Sequence, residues 1–344
     1  MKVNVSLTPN PASAPSFHLS KPHVLPNGLF TVPWSSSGPD IKATDILRSR
    51  LTGEWKTVKT WAGMISSVKS DSDTVPKDSS AIRATWLGHA TYYVCMPSGL
   101  RILFDPVLGQ KCALSWSPKF SRITPALCTV ADLPGVDIVV ISHAHWTIDR
   151  IRRQFPDCHY FCGMGTKSYF TAKNITAVTE LYWWEERQVE IGGKVSTVSC
   201  LPAQHFSNRT LFDHDKTLWC SWSVESKGKL EPEQDDYAIE MPVCPAFKQT
   251  GEHRGPFNLA LVPIGAYSPR WIMSRVHASP KDSVNMFLDV KARRGLAMHF
   301  GTFVLTTEPI LEPVDKLKEA LKWKGLPETG IFDAISVGEQ LRFL

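Results

Sequence analysis

With 344 residues, the chain is long enough for one large domain or two ordinary ones. Its 43% hydrophobic and 21% charged residues are typical of a globular protein and exclude a disordered chain, a collagen and a coiled coil. The formal net charge of +5 is spread along the chain rather than gathered in runs. It therefore predicts no nucleic-acid binding, although it is compatible with an anionic lipid surface or a phosphate-bearing substrate.

Neither a membrane-spanning segment nor secretion is predicted. The long uncharged stretches, 84–100 and 255–269, are interrupted by Pro, Gly or His and fall short of the roughly 20 apolar residues that a spanning helix needs. The N-terminal residues lack the apolar run of a secretory signal. The eight cysteines include no CxxC pair, so we expect buried, reduced thiols in an intracellular protein, either cytoplasmic or peripheral to a membrane.

Residues 1–80 are predicted to form a leader, and residues 81–344 a single large domain. Seven of the 25 prolines lie within the first 39 residues, a density that excludes a regular helix or a central strand. We expect this Pro-rich extension to lie on the domain or to stay disordered. A short helix is expected within 41–68, and the polar stretch 69–80 is predicted to be a linker.

From residue 82 onward, short apolar runs alternate with helical patterns. Helices are predicted at 149–155, 280–293 and 313–322. The apolar runs are rich in β-branched and aromatic residues, which predicts buried strands. These runs are ATWLGHATYYVCM, RILFDPVL, VDIVVISHAH, KVSTVSCLPAQH, TLWCSWSV, NLALVPIGAY and GLAMHFGTF. Strands and helices that alternate in this way indicate an α/β fold.

Histidines stand at or near the ends of four of these runs: His89, His143 with His145, His205, and His299. Ligands gather in α/β sheets where strands end, so such histidines can converge. An HxH pair at a strand end places two imidazoles on one side of the backbone, which suits chelation of a metal. Taken singly, each histidine could instead be a core or capping residue, and we favour that interpretation for His89. Together, His143, His145 and His205 are predicted to bind a metal.

Specific motifs follow one another in a fixed order: WLGHAT, FDP, ADLPGVDIVVISHAHW, LYWWEE, AQH with RTLFD, LWCSWSV, CPAF, GPFNLALVPIGAYSPRW and MHFGTF. In this order they resemble the N-acylphosphatidylethanolamine phospholipase D family, which has the metallo-β-lactamase fold. The resemblance implies an αβ/βα four-layer sandwich with a binuclear zinc site. It also implies hydrolysis of the phosphodiester between phosphatidic acid and an N-acylethanolamine, in which two cations neutralise the charge that develops on the phosphoryl oxygens.

The sequence departs from the family's HxHxDH motif, whose last two members bind the second metal. Without a gap, Thr147 and Ile148 take their places; with a gap after Trp146, the Asp and His are deleted. Both alignments lose these ligands. Asp149 could substitute for the missing carboxylate, but it precedes a helical run, and we interpret it as a helix N-cap.

A second departure concerns the aspartate that bridges the two metals in the family. The corresponding stretch, ESKGKLEPEQDDYAIEMPVCPAF, contains no GDTG. Counting back from CPAF places Glu240 at the bridging position, whereas counting forward from SWSV places Asp236 there. The structural alternative is a solvated acidic loop that replaces a lost strand.

The retained ligand set is therefore His143, His145 and His205, which resembles the first-metal site, and His299, which resembles a second-metal ligand. Glu240 is the further metal-ligand candidate. Three neutral imidazoles can hold one Zn²⁺, so one metal is expected and two are not well supported. No catalytic residue is assigned. Arg270 and Trp271, within the PRW motif, are predicted to bind substrate through its phosphate and acyl groups.

Two functions remain open. The first is a zinc-dependent hydrolase of a phosphodiester lipid, similar to the phospholipase D family, with a reduced single-metal site. The alternative is a catalytically degenerate relative that binds a lipid or small molecule, or serves a non-hydrolytic step in specialised metabolism. A third possibility is that the motif gaps are gene-model errors. The expected partners are a lipid or another phosphate-bearing small molecule, with peripheral membrane contact and no nucleic acid.

Overall fold

Fourteen strands and eight α-helices make up the described part of the computed structural model, which covers residues 3–9, 11, 14–37, 43–55, 58, 60, 65, 67, 80–112, 121–126, 128–143, 148–208, 213–226 and 243–343. The strands are β1 (Asn4–Leu7), β2 (Ile82–Trp86), β3 (Tyr92–Cys95), β4 (Arg101–Phe104), β5 (Ile138–Ile141), β6 (His159–Gly163), β7 (Val178–Leu181), β8 (Glu186–Ile191), β9 (Lys194–Leu201), β10 (Ser221–Ser226), β11 (Ala260–Pro263), β12 (Gly295–Met298), β13 (Phe332–Asp333) and β14 (Gln340–Phe343). The helices are α1 (Ser16–Leu19), α2 (Ala43–Leu51), α3 (Ile148–Gln154), α4 (Lys167–Thr171), α5 (Ala246–His253), α6 (Arg270–Met273), α7 (Pro280–Asp289) and α8 (Glu312–Trp323).

A seven-stranded sheet, in the order β14-β2-β3-β4-β5-β6-β7, forms one half of the fold. Strands β4 to β7 are parallel, and β14, β2, β3 and β4 pair antiparallel. The parallel strands are covered on both faces, which is why β5 is a continuous apolar run with all four residues buried. Its Val140 packs in the main core, whereas Val139 and Ile141 pack in a second cluster with α3 and α4.

The other half contains two smaller sheets, an antiparallel one in the order β1-β8-β9-β10 and a parallel one in the order β11-β12-β13. Inward residues of these strands, such as Val189, Val198 and Leu296, share the main core with the seven-stranded sheet. Helix α7 packs against β11, and α8 packs against α7, with Phe287 and Leu321 in the main core. The predicted αβ/βα four-layer sandwich is thus confirmed.

The helices predicted from the sequence are present with small shifts in their ends. The pattern at 149–155 is α3, that at 280–293 is α7, that at 313–322 is α8, and the helix expected within 41–68 is α2. Helix α7 begins with a capping box, in which Ser279 and Asp282 bond each other's backbone N–H.

The interpretation of Asp149 as an N-cap is wrong. Helix α3 begins at Ile148, so Asp149 lies in its first turn, where a carboxylate interacts favourably with the positive end of the helix dipole. Its Oδ2 also pairs with Lys173 Nζ at 2.6 Å. The carboxylate is therefore engaged away from the histidines.

The Pro-rich leader packs on the sandwich. Strand β1 adds to the edge of the small antiparallel sheet by pairing with β8, which suits a segment where prolines interrupt any longer strand. Residues 14–37, here named the N-terminal strap, continue over the molecule. Trp34 of the strap stacks on Trp183 with ring centroids 5.4 Å apart. The predicted linker lies outside the described residues except for Ser80.

All eight cysteines are free thiols in the structure. Six of them are buried as predicted, whereas Cys112 and Cys128 are half-buried. Within the described ranges, no helix has the length and apolar character needed to cross a membrane.

A buried histidine in the strap predicts how stability depends on pH. His23 is 1% exposed and lies 4.3 Å from the Trp183 ring, and neither of its ring nitrogens has a hydrogen-bond partner among the described residues. Burial, with smaller contributions from His18 and Lys21, lowers its pKa to about 4. Between pH 6.5 and 4, the unfolded chain therefore binds a proton that the folded chain does not, and stability falls as the pH falls.

We expect His23→Phe to reduce this acid destabilisation, because Phe fills the site without titrating. Urea unfolding at about pH 7.5 and about pH 5 measures the effect as the loss of unfolding free energy between the two conditions. An equal loss in His23→Phe and the wild type would contradict the prediction.

Candidate metal centre

Three strands from both halves of the sandwich end at one place, and each is followed by a histidine. His143 comes two residues after β5, His299 directly after β12, and His205 four residues after β9. Loops after strand ends carry the ligands of α/β folds because the sheet fixes their starting points. The structure brings these three predicted residues together, along with one that the sequence analysis did not select, His277.

The four imidazoles form a continuous line, here named the histidine row. The ring centroids of His143 and His205 are 4.9 Å apart, those of His205 and His277 are 5.4 Å apart, and those of His277 and His299 are 5.0 Å apart. Beyond its end, the buried His89 lies 4.2 Å from His299. All four residues of the row are half-buried.

The tautomer of His205 follows from its hydrogen bond. Its Nδ1 lies 3.0 Å from the carbonyl oxygen of Val276, and because a carbonyl only accepts, Nδ1 carries the proton. Burial lowers the pKa of His205 to about 4, partly opposed by this bond. The ring is therefore neutral at physiological pH, and Nε2 presents a lone pair, which is the form that binds metals.

The aspartate of the FDP motif holds the end of β5. Asp105 Oδ1 accepts a hydrogen bond from the Ser142 N–H at 2.8 Å, and Ser142 Oγ lies 2.8 Å from His143 Nδ1. Burial raises the pKa of Asp105 to about 6, opposed by the Ser142 hydrogen bonds. The buried carboxylate thus positions the residue next to His143.

His277 follows the short helix α6 rather than a strand. It was not predicted, because the expected ligands were histidines at strand ends. Its Nδ1 is buried without a hydrogen-bond partner within the described ranges. Burial, with the neighbouring His299 and His205, holds its pKa well below the usual range. The ring lies between two predicted ligands, so His277 belongs to the site. In the sequence, only its position shortly after the PRW motif could have indicated a role in the site.

The WLGHAT and MHFGTF motifs lock together behind the row. The His299 N–H donates to the His89 carbonyl at 2.9 Å, and the His89 N–H donates to Thr302 Oγ1 at 2.6 Å. His89 and His299 adopt positive φ angles of 53° and 65°, a conformation that costs free energy and often marks functional sites. His89 is thus a buried residue, as predicted, whose backbone bonds the MHFGTF motif and whose ring lies beside His299.

Two motifs contain a glycine at a position where neighbouring atoms leave too little room for a side chain. Gly88 has a φ of +94°, and a Cβ there would lie 3.1 Å from the Arg122 guanidinium and from Thr302 Oγ1. A Cβ on Gly265, in the PIGAY motif, would lie 2.2 Å from the His299 carbonyl oxygen. Side chains at either position would displace the loops that carry His89 and His299.

Of the other predicted site residues, three lie outside the described part of the chain and two, Arg270 and Trp271, lie within it. His145, Glu240 and Asp236 lie outside the described residues, so their roles stay predictions. One guanidinium nitrogen of Arg270 pairs with Asp282 at 2.8 Å, and the other donates to the His277 carbonyl at 3.2 Å. The guanidinium group therefore lies beside the row. Trp271 is 46% exposed.

The donor chemistry of the row fits a metal ion. Neutral imidazoles are the usual ligands of zinc and related metals, and the buried, unpartnered Nδ1 of His277 is a donor that a metal or ligand would satisfy. Within the described ranges, however, no three His, Cys, Asp or Glu side chains are arranged to hold one ion. The described residues supply neighbouring pairs, of which His143 with His205 is the one that the undescribed His145 would extend.

Comparison with known proteins agrees with this geometry. A family model described as the beta-lactamase superfamily domain matches residues 100–300. N-acyl-phosphatidylethanolamine-hydrolyzing phospholipase D 1 of Caenorhabditis elegans is 36% identical over 273 residues, which cover 76% of this chain and 75% of that protein. The chain belongs to this phospholipase D family within the β-lactamase superfamily.

The chain is also similar to other proteins at lower sequence identity. A mitochondrial N-acyl-phosphatidylethanolamine-hydrolyzing phospholipase D of Saccharomyces cerevisiae is 33% identical over 71% of this chain and 53% of that protein. Among solved structures, a possible metal-dependent hydrolase from Veillonella parvula gives a TM-score of 0.54 at 15% identity and covers 76% of this chain and 99% of that one. Igni18, a metallo hydrolase from Ignicoccus hospitalis, gives 0.51 at 17% identity, with coverages of 77% and 99%. The likeness to these two structures lies in the fold, which agrees with the matched beta-lactamase superfamily domain.

The role of Asp105 can be tested with two substitutions. Asp105 has a φ of 37°, which Asn tolerates better than Ala, and Asn keeps an oxygen that accepts from Ser142. We expect Asp105→Ala to destabilise the protein by about 1–3 kcal/mol, because it leaves a buried N–H unpaired. Asp105→Asn removes a buried charge and should cost less than Asp105→Ala. Urea unfolding of the chelator-treated proteins measures both, and equal losses would contradict the proposed contact.

Proposed function

We propose that the protein is a zinc-dependent hydrolase that cleaves a phosphodiester bond in a lipid, with a reduced site that holds one metal. The observation that carries the proposal is the histidine row, in which His205 is fixed as a neutral ring with its Nε2 lone pair available. Membership of the phospholipase D family supports a phosphodiester lipid as the substrate class. The lost second half of the HxHxDH motif supports a single metal.

His143 and His205 would hold the zinc ion, together with His145. When bound, zinc supplies Lewis acidity that neutralises charge on a phosphoryl or carbonyl oxygen. Without the second cation, one such contact is missing, and turnover is expected to be about a hundredfold slower than at a two-metal centre.

The protein's own side chains orient the reacting groups. The Val276 carbonyl holds the proton of His205 on Nδ1, and the Asp105–Ser142 contact fixes the backbone beside His143. His277 lies next in the row and makes no hydrogen bond within the described part through its buried Nδ1. We assign its imidazole the role of bonding a phosphoryl oxygen of the substrate, because it lies between His205 and His299.

Surface residues near the row support an anionic lipid as the partner. Arg270 bonds the His277 carbonyl and is partly exposed, so its cation lies where a phosphate would approach. Trp271 is exposed and donates to Glu54, which follows α2. Helix α2 itself exposes Leu47 and Leu51, apolar side chains that suit contact with a membrane surface.

A second candidate function is binding of a lipid or small molecule without turnover. The observation that favours it is that two metal-bearing segments, the end of the HxHxDH motif and the GDTG stretch, are changed while the other family motifs remain. The two functions differ in one measurable respect, release of a hydrolysis product.

Turnover of N-acylphosphatidylethanolamine in anionic vesicles tests the proposal, with release of the N-acylethanolamine measured by mass spectrometry. We expect activity in the zinc-supplemented wild type and a loss of at least about a hundredfold in His205→Ala, because a ligand is removed. The matched control is His159→Gln, which replaces a histidine at the start of β6 that bonds Thr179 and lies outside the row.

Activity in the control with loss in His205→Ala supports the hydrolase. Vesicle binding without product release by the wild type would contradict it and favour the binding function. Product release that survives His205→Ala would show that the row does not carry the reaction.

A further inference from the structure

The N-terminal strap ends in a set of hydrogen bonds beside the histidine row. Ser36 Oγ donates to Gln204 Oε1 at 2.7 Å, and Arg275 Nε donates to the Ser37 carbonyl at 2.6 Å. Gln204 immediately precedes His205, and Arg275 lies two residues before His277. The end of the strap therefore contacts both loops that supply the middle of the row.

Gln204 joins these partners to one another. Its Nε2 donates to the Arg275 carbonyl at 2.9 Å and lies 3.4 Å from the Ser36 carbonyl, while its Oε1 accepts from Ser36. Both N–H groups and the oxygen of one side-chain amide thus bond the strap and the loop that carries His277. Ser36, Ser37, Gln204 and Arg275 are here named the clasp.

The clasp works in parallel with the row's own contact. His205 Nδ1 donates to the carbonyl of Val276, the residue directly after Arg275. Two adjacent side chains of one loop, Gln204 and His205, therefore bond two adjacent carbonyls of the other. Such paired bonds fix both the separation and the rotation of the loops, which one bond cannot do.

The strap is anchored firmly enough to hold the clasp in place. Trp34, two residues before Ser36, stacks on Trp183, and Trp183 Nε1 donates to the Trp219 carbonyl at 2.8 Å. Trp219 Nε1 in turn donates to the carbonyl of Ala203, the residue before Gln204, at 2.9 Å. The strap and the His205 loop thus share one buried aromatic support.

We propose that the clasp positions His205 and His277, so that the N-terminal strap is a working part of the metal centre and Gln204 is its positioning residue. None of the clasp side chains belongs to the row itself. Their effect passes through the two loops, as outer contacts of metal ligands commonly do. The metal-binding consequence rests on the proposed function, whereas the loop-positioning consequence does not.

Hydrogen exchange of the chelator-treated, full-length chain tests the positioning directly. Gln204→Glu places a carboxylate oxygen against the Arg275 carbonyl in place of a donor, so we expect backbone amides of 203–207 and 275–278 to exchange about tenfold faster. The same substitution at Gln249, which bonds His18 at the other end of the strap, is the matched control and should leave both loops unchanged.

Zinc affinity, measured by competition with a chromophoric chelator, is the second readout. We expect Gln204→Glu to weaken zinc binding about tenfold or more. Ser36→Ala, which removes the hydroxyl donor, should weaken it by a smaller factor. Ser36→Thr keeps that donor and should restore wild-type affinity, a rescue that general destabilisation would not show.

Wild-type exchange in both loops of Gln204→Glu would overturn the clasp. Faster exchange with unchanged zinc affinity would overturn its role in the metal centre. If the wild-type chain takes up no zinc at all, the proposed function fails, and the exchange result alone decides whether the clasp positions the loops.

Discussion

The hydrogen bond from His205 Nδ1 to the Val276 carbonyl is the contact on which the site depends. It settles the tautomer, so that a neutral ring directs its Nε2 lone pair away from the protein's own acceptor. It also joins the loop after β9 to the loop after α6, and that junction places His277 between His205 and His299. This bond therefore helps to fix the position of His277 relative to His205.

The rest of the structure supports that arrangement at some expense in stability. The row draws on the seven-stranded sheet through His143 and on the smaller sheets through His205 and His299, so it exists only when both halves of the sandwich pack. Asp105 is buried with a raised pKa, and His299 has a left-handed backbone conformation. Features of this kind concentrate at functional sites because a stable fold can hold unfavourable groups there.

Alternating apolar runs and helical patterns predicted an α/β fold, and the family resemblance of the ordered motifs predicted the sandwich. The same motif order, with histidines at strand ends, predicted three members of the row: His143, His205 and His299. His277 was not predicted, because it lies in a loop after a helix, and no apolar run precedes it in the sequence. The clasp could not be predicted, since Ser36 and Gln204 are 168 residues apart and meet only through the packing of the strap. Asp149 was assigned wrongly because helix α3 begins at Ile148, two residues before the start that an N-cap at Asp149 implies.

We infer that this chain keeps one working metal position from its family's site. The most direct measurement is the zinc content of the full-length chain, purified without chelators and analysed by inductively coupled plasma mass spectrometry. A neutral histidine site predicts about one zinc ion per chain. A chain that contains no zinc and takes up none on titration would contradict the claim, and two zinc ions per chain would contradict the single-metal site.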